Sequence, residues 1–295
     1  MGKLTEYLAP LFADSPVILV NIGARWGIDA RWASFGNSIK AFCFEADAAE
    51  CSRLNSLGHS GVTYIPEAIA GKAGQATLYR TKYEASSGLY RTNDAFFSRL
   101  LNSDNAALVS TEEVQTVTLD KAREKHGIPF PDFLKLDVEG AELDIMRASN
   151  LGGTFGIYTE FRFHSEINGC PIFSEVDQHL RNRNFMLYDL TYSKQSRKAL
   201  PYPGPRIQGM DGKRFFASTV GGQVMDGDAL YFRDPLKLSL NRLQVLKAAC
   251  VLETFNLNDC AAELLIDREK DADVDLLHCL DLLAGGSYKS YLENY

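Results

Sequence analysis

The chain has 295 residues, 45% of them hydrophobic and 23% charged, which is enough to build a large apolar core. Its formal net charge of −7 speaks against a surface for duplex nucleic acid, which needs clustered Lys and Arg to displace counterions. No run of 18 apolar residues occurs, and the opening MGKLTEYLAPLFADS lacks an apolar core ending in a cleavage site, so a cytoplasmic chain without a membrane span is expected.

Residues 4–13 read as a short amphipathic helix, and VILVN (17–21) as a strand buried on both faces, the mark of a parallel sheet. IGARWGIDARWASFG follows as a Gly-containing turn opening a helix, and AFCFE (41–45) as a second strand ending in an acid. ADAAECSRLNSLG reads as a helix closed by Gly58. VTYIPEAIAG reads as a third strand with Pro66 near its end, because proline cannot donate to a central ladder. QATLYRT and VQTVTLD are further strands flanking SSGLYRTNDAFFS, a polar segment long enough for a functional loop or partial lid.

Next come FLKLDV as a strand, AELDIMRAS as a helix, FGIYTEFRF as a strand and FSEVDQHLRNRN as a helix, then FMLYDLTYS and DALYFRD. Alternating strands and helices give a doubly wound, mostly parallel α/β sheet with an antiparallel hairpin at one edge over residues 1–235. Residues 236–295 lack strand periodicity and read as a helical extension, with helices at 240–255, 258–270 and 274–283 that cap the substrate side or form a homodimer. Tyr288, Tyr291 and Tyr295 read as surface cover. Six widely spaced cysteines without a C-x-x-C pair read as reduced, structural thiols.

In such a sheet the ligand lies beyond the carboxyl ends of the strands, so the residues just after each apolar run matter most. After the first strand, Gly23 permits a tight turn and close backbone approach, and Gly27 lets the next segment pack near the strand. Glu45 ends the second strand, where an acid can accept both hydroxyl hydrogen bonds of a ribose. A G-x-G-x-x-G turn is absent, which favours an adenosyl ligand over a dinucleotide. After the fourth strand come Asp137 and Glu139; Glu142 reads as an acid seating a helix N-terminus.

VNIGARWG, FCFEAD, PEAIAG, VTLD, FLKLDVEGAEL and DALYFRD stand in the order and at roughly the spacing of the FkbM-type S-adenosylmethionine-dependent methyltransferases, which this chain resembles from about Val17 to Asp234. The resemblance implies a class I Rossmann-like methyltransferase using S-adenosyl-L-methionine to O-methylate a sugar, a glycan or a related natural-product hydroxyl. Carried over, Asn21, Gly23, Ala24 and Gly27 would line the methionine part of the cofactor. Glu45 and Ala46 would hold the ribose, Ala68 and Ile69 would border the adenine, and Asp137 would sit near the methionine end or the acceptor. The first strand ends in Asn21 where the family usually has Asp, and Arg25 stands where Asn is common, so contact with the cofactor's ammonium is weakened or water-mediated.

Methyl transfer from a sulfonium gains chiefly from positioning and from deprotonating the acceptor. Asp137, Glu139, Glu160 and His164 are the candidate catalytic groups, all expected on one rim. His164 is the natural proton acceptor by its ordinary pKa, and a structural His at a strand end is the competing reading. Asp137, Glu160 and His164 offer ligand atoms for Mg²⁺ but show no compact ligand spacing, so no metal is expected. Ser86 and Ser87 are candidates for touching the acceptor. A non-catalytic scaffold that keeps the fold is the alternative that Asn21 leaves open, and an NAD-dependent oxidoreductase a further one, lacking the phosphate turn.

Overall fold

A computed structural model describes residues 2–209 and 212–294, so the expected surface role of Tyr295 lies outside the described residues. VILVNI is buried along its whole length as strand β1 (Val17–Ile22). Parallel neighbours flank it: β2 (Ile39–Phe44) and then β3 (Val62–Ile65) on one side, β4 (Phe133–Leu136) and then β5 (Gly156–Arg162) on the other. The last strands are β6 (Phe185–Gln195) and β7 (Gln223–Arg233). β7 runs antiparallel between β5 and β6, so the order is β3-β2-β1-β4-β5-β7-β6. The expected antiparallel pair is present, with its returning strand inside the sheet.

Both faces of the sheet are covered. On one lie α1 (Lys3–Leu8) and α2 (Ala48–Ser56), the latter capped by the Asp47 carboxylate accepting from the Ala49 and Glu50 N–H groups. On the other lie α3 (Leu119–His126), α4 (Glu142–Arg147) and α5 (Phe173–Arg181). The tail supplies α6 (Arg242–Thr254), α7 (Asn258–Asp267) and α8 (Leu276–Ala284), which return to the first face. Phe255, just past α6, stacks on Phe133 of β4 with ring centres 4.9 Å apart, and Trp32 meets both rings edge-on at 5.2 and 5.9 Å. Tail and sheet therefore share one apolar core.

Three local expectations change. The segment after β1 forms not an α-helix but 3-10 turns over Ala30–Ser38, kinked where Gly36 takes φ +52°. VTYIPEAIAG splits at Pro66: β3 stays in the main sheet, while Ala68–Ile69 joins a small sheet of Gly74–Thr81 and Leu108–Val117. VQTVTLD ends as a strand at Val117, and α3 begins at Leu119. Its sequence is polar except at Leu119 and Ala122, but Gly127 in the left-handed region after Arg123, Lys125 and His126 is a helix-stop signal. No disulfide joins the six cysteines, and burial pushes the Cys43 and Cys51 thiols up to about 12. No helix of the described residues is long and apolar enough to cross a membrane.

Gly2 offers α1 no side-chain cap, and the tail supplies one instead. The buried Glu253 carboxylate accepts from Leu4 N at 2.9 Å, Thr5 N at 2.7 Å and the Thr5 hydroxyl at 2.7 Å. Glu253→Ala leaves these donors unpaired in the interior and is expected to cost about 2 kcal/mol. Urea unfolding followed by circular dichroism checks it.

Candidate active site

β1 leads outward through β2 and β3, whereas β4 starts again on the other side of β1. A doubly wound sheet opens its crevice where the order reverses. Here a cavity of about 340 Å³ lies beyond the strand tips, and Gly23, Glu45, Ala68 and Asp137 all line it. Ala46, Ile69 and Glu139 line it too. Its roof comes from the start of the expected loop, Ser87 and Gly88, and from Tyr83 and Glu84 just before it. That roof is held down where Tyr79 and Gly88 exchange backbone hydrogen bonds and where the Ser87 hydroxyl accepts from Thr81 N at 3.0 Å.

Gly23, with φ +81°, is obligatory on steric grounds. A Cβ there would lie 1.7 Å from the Asp137 carbonyl oxygen. Its N–H and that of Ala24 donate to the Phe44 carbonyl at 2.9 and 3.1 Å, fixing the end of β1 against the end of β2. Glu45 follows, with one carboxylate oxygen accepting from Asp47 N at 2.9 Å and burial raising its pKa. Asp47 ties three segments together, capping α2 and pairing with Arg25 at 3.4 Å and Arg80 at 3.8 Å.

Asp137 lines the cavity and pairs with Lys135 at 2.9 Å. Glu142 folds back instead, accepting from Val138 N at 2.8 Å and from Gly140 N at 3.0 Å, so it shapes the acidic loop. Glu139, at φ +58°, points to the buried Arg162 guanidinium. Glu160 grips the same guanidinium at 2.8 and 3.0 Å, and Glu166 approaches it at 3.3 Å. Burial, only partly offset by Arg162, pushes Glu139 and Glu166 up to about 8 and Glu160 well above the usual carboxylate range. Oxygens of Asp137, Glu139 and Glu160 lie within 4.8 Å of one another, near enough for a divalent cation, and Lys135 and Arg162 already pair with them.

A second cavity of about 260 Å³ adjoins the first, with Tyr83 and Glu139 in the walls of both. Ser86, Glu160, Arg162 and Glu166 line it. Of the expected site residues, four stand elsewhere. Asn21 is buried inside β1 with its side-chain oxygen unpartnered and does not line either cavity. Ala24 is fully buried, and Gly27 makes room for the Tyr64 hydroxyl, which a Cβ would meet at 3.1 Å. His164 turns toward the returning strand: its Nε2 lies 2.9 Å from the Val224 carbonyl oxygen and 3.0 Å from the Gln223 side-chain nitrogen. None of the described tail residues lines either cavity.

Arg162 and Glu166 were not singled out by the sequence reading. An arginine inside the apolar FGIYTEFRF, with an acid four residues on, was the available signal, because a buried guanidinium needs partners.

The model of the family described as Methyltransferase FkbM domain matches residues 21–187, more than half of the chain, from the last residues of β1 through β5. The chain belongs to the FkbM methyltransferase family. It is thus a methyltransferase, with the mixed α/β, mostly parallel sheet described above, and S-adenosylmethionine is its cofactor. No curated protein sequence matches this FkbM methyltransferase. Solved structures similar to it include an S-adenosylmethionine-dependent methyltransferase from Agrobacterium tumefaciens, at 12% identity and TM-score 0.33, covering 77% of this chain and 59% of that one. The precorrin-6y C5,15-methyltransferase from Geobacter metallireducens is 7% identical with TM-score 0.35, over 77% of this chain and 86% of that one. TrmK from M. capricolum, solved with S-adenosylhomocysteine, is 8% identical with TM-score 0.33, over 99% and 98%.

The first cavity fits that cofactor. A nucleoside bearing an amine, two ribose hydroxyls and an ammonium brings hydrogen-bond donors, and the walls are rich in acceptors. The buried Glu67 Oε2 and Glu84 Oε2 have no protein partner, and Ile22, Phe44, Ile69 and Leu78 give apolar cover for a flat ring. Gly23→Ala forces a Cβ onto the Asp137 carbonyl at a positive φ and is expected to cost about 3 kcal/mol or more. Chemical denaturation measures the loss, and S-adenosylhomocysteine binding should fall with it.

Proposed function

We propose that this FkbM methyltransferase O-methylates a hydroxyl of a sugar, a glycan or a related natural product. The observation that carries the reading is the pair of adjoining cavities with Glu139 in their common wall. The first receives the cofactor, with Glu45 accepting from the ribose, Ala68 and Ile69 bordering the base, and Gly23 allowing close backbone approach. The second receives the acceptor, and its carboxylates suit a polyhydroxylated molecule through several hydrogen bonds.

Bound there, the cofactor supplies an electrophilic methyl group on a sulfonium. The chain's own residues place the hydroxyl and take its proton. Glu139 is the proton acceptor in this reading, because it alone among the acids Asp137, Glu139 and Glu160 lines both cavities. Arg162 orients that carboxylate, and Lys135 does the same for Asp137. His164, engaged on the returning strand, has no part in the transfer.

Glu45→Ala should weaken S-adenosylhomocysteine binding by about 1 to 3 kcal/mol, since buried ribose hydroxyls would go unpaired; calorimetry reads it. A base with its pKa raised to about 8 is inactive while protonated. Turnover should therefore climb with pH through about 8 and fall away below it. Glu139→Gln should lower kcat by about 10²- to 10⁴-fold and remove that pH limb, with cofactor affinity little changed. Mass spectrometry of a glycan panel after reaction tests the chemistry itself: a methyl ether supports the reading, and methylation confined to nitrogen or carbon overturns it.

A further inference from the structure

A third pocket of about 280 Å³ opens next to the acceptor cavity, sharing Asn102, Asn105 and Phe216 with it. Five cationic residues line it: Lys82, Lys198, Arg206, Lys213 and Arg214. Asp104 is the one carboxylate in its wall. In a chain whose formal net charge is −7, this is a local reversal of sign.

The cations come from three separate segments that the fold brings together. Lys82 follows the strand Gly74–Thr81, Lys198 follows β6, and Arg206 and Arg214 stand on a hairpin of Arg206–Gln208 with Arg214–Phe216. Lys82 pairs with Asp104 at 3.2 Å, and the Arg206 guanidinium lies 4.0 Å from the centre of the Phe216 ring. Gathering like charges costs repulsion that folding has no reason to incur, and an anion in the pocket removes it. Convergent Arg and Lys donors are the chemistry of phosphate recognition.

The neighbouring acceptor cavity asks for the opposite kind of group. Asn105 donates to the Phe216 carbonyl at 2.9 Å, which fixes its amide and leaves its buried side-chain oxygen without a partner. The buried oxygens of Asn102 and Gln195, in the same cavity, are unpartnered as well. Hydroxyl donors would satisfy all three. One small molecule with hydroxyls at one end and a phosphate at the other matches both pockets across their shared wall.

We propose that the methyl acceptor is a phosphorylated polyol, its hydroxyls in the acceptor cavity and its phosphate in the basic pocket. This rests on the acceptor cavity receiving a hydroxyl substrate, as above. The test uses the full chain loaded with S-adenosylhomocysteine, titrated calorimetrically with pyrophosphate, beside the double variant Lys198→Glu/Arg206→Glu. The wild type is expected to bind pyrophosphate, with affinity falling about tenfold or more in the double variant and with added salt, while S-adenosylhomocysteine binding stays equal in both. In methyl transfer, a hexose phosphate should exceed the same hexose without phosphate by about tenfold in kcat/KM, and the double variant should lose that preference.

Absence of pyrophosphate binding, equal binding by both proteins, or equal methylation of the two hexoses overturns the proposal. If neither hexose is methylated while pyrophosphate binding and its loss in the variant hold, the phosphate site stands and the hydroxyl-acceptor reading falls. Tighter binding of a single-stranded oligonucleotide than of pyrophosphate would overturn the small-molecule assignment.

Discussion

The carbonyl oxygen of Asp137 lies 1.7 Å from where any side chain at Gly23 would begin, so β1 and β4 can end side by side only because that position carries a hydrogen. The crevice depends on this contact. With the two tips in register, Gly23 and Ala24 reach the Phe44 carbonyl, and the next residue, Glu45, is delivered to the same rim. Asp47 then locks that rim to Arg25 and Arg80, which come from either side of the opening. A steric constraint at one glycine is thereby passed along three strand ends.

Electrostatics organise the other wall. A single buried guanidinium, Arg162, holds Glu139, Glu160 and Glu166, and burying so many ions is unfavourable unless each is paired. One cation cannot fully neutralise three acids. The raised proton affinities of these carboxyls follow directly, with desolvation the larger cause and the guanidinium the partial remedy. Glu139 is held at a positive φ between Gly140 and the ion cluster, and that is how one side chain comes to form part of two cavities.

Much of this was legible in the sequence because strand tips are. VILVNI and FLKL are apolar apart from Asn21 and Lys135, so their ends, and with them Gly23 and Asp137, could be read off directly, as could Glu45 after the second run. Direction of side chains was not legible. His164 follows a strand end, as expected, but the Phe163 N–H beside it donates to the Met225 carbonyl on β7, and the His164 ring lies toward Val224. Gly27 has the look of a cofactor turn and instead clears space for Tyr64, whose strand lies far along the chain. The ion cluster was missed for a similar reason: Glu139 and Arg162 are adjacent only once β4 and β5 pair. α3 escaped notice because so little of it is apolar, and burial of Arg123 beside Leu119 and Ala122 anchors it.

The division of labour between core strands and peripheral loops bears on how this scaffold can diversify. Tips of β1, β2 and β4 contribute to one cavity, while the other two pockets, apart from Glu160, Arg162, Glu166 and the start of β7, draw mainly on segments 82–107, 193–198 and the hairpin at 206–216. Those outer segments bury few apolar side chains beyond Leu100, Ala106 and Phe215, and the rest of what they bury is polar: Thr92, Asn102, Asn105, Gln195 and Ser196. Drift can therefore rewrite their exposed polar residues with small penalty to folding, so that descendants of one ancestral donor-binding core inherit new partners for it through loop change alone.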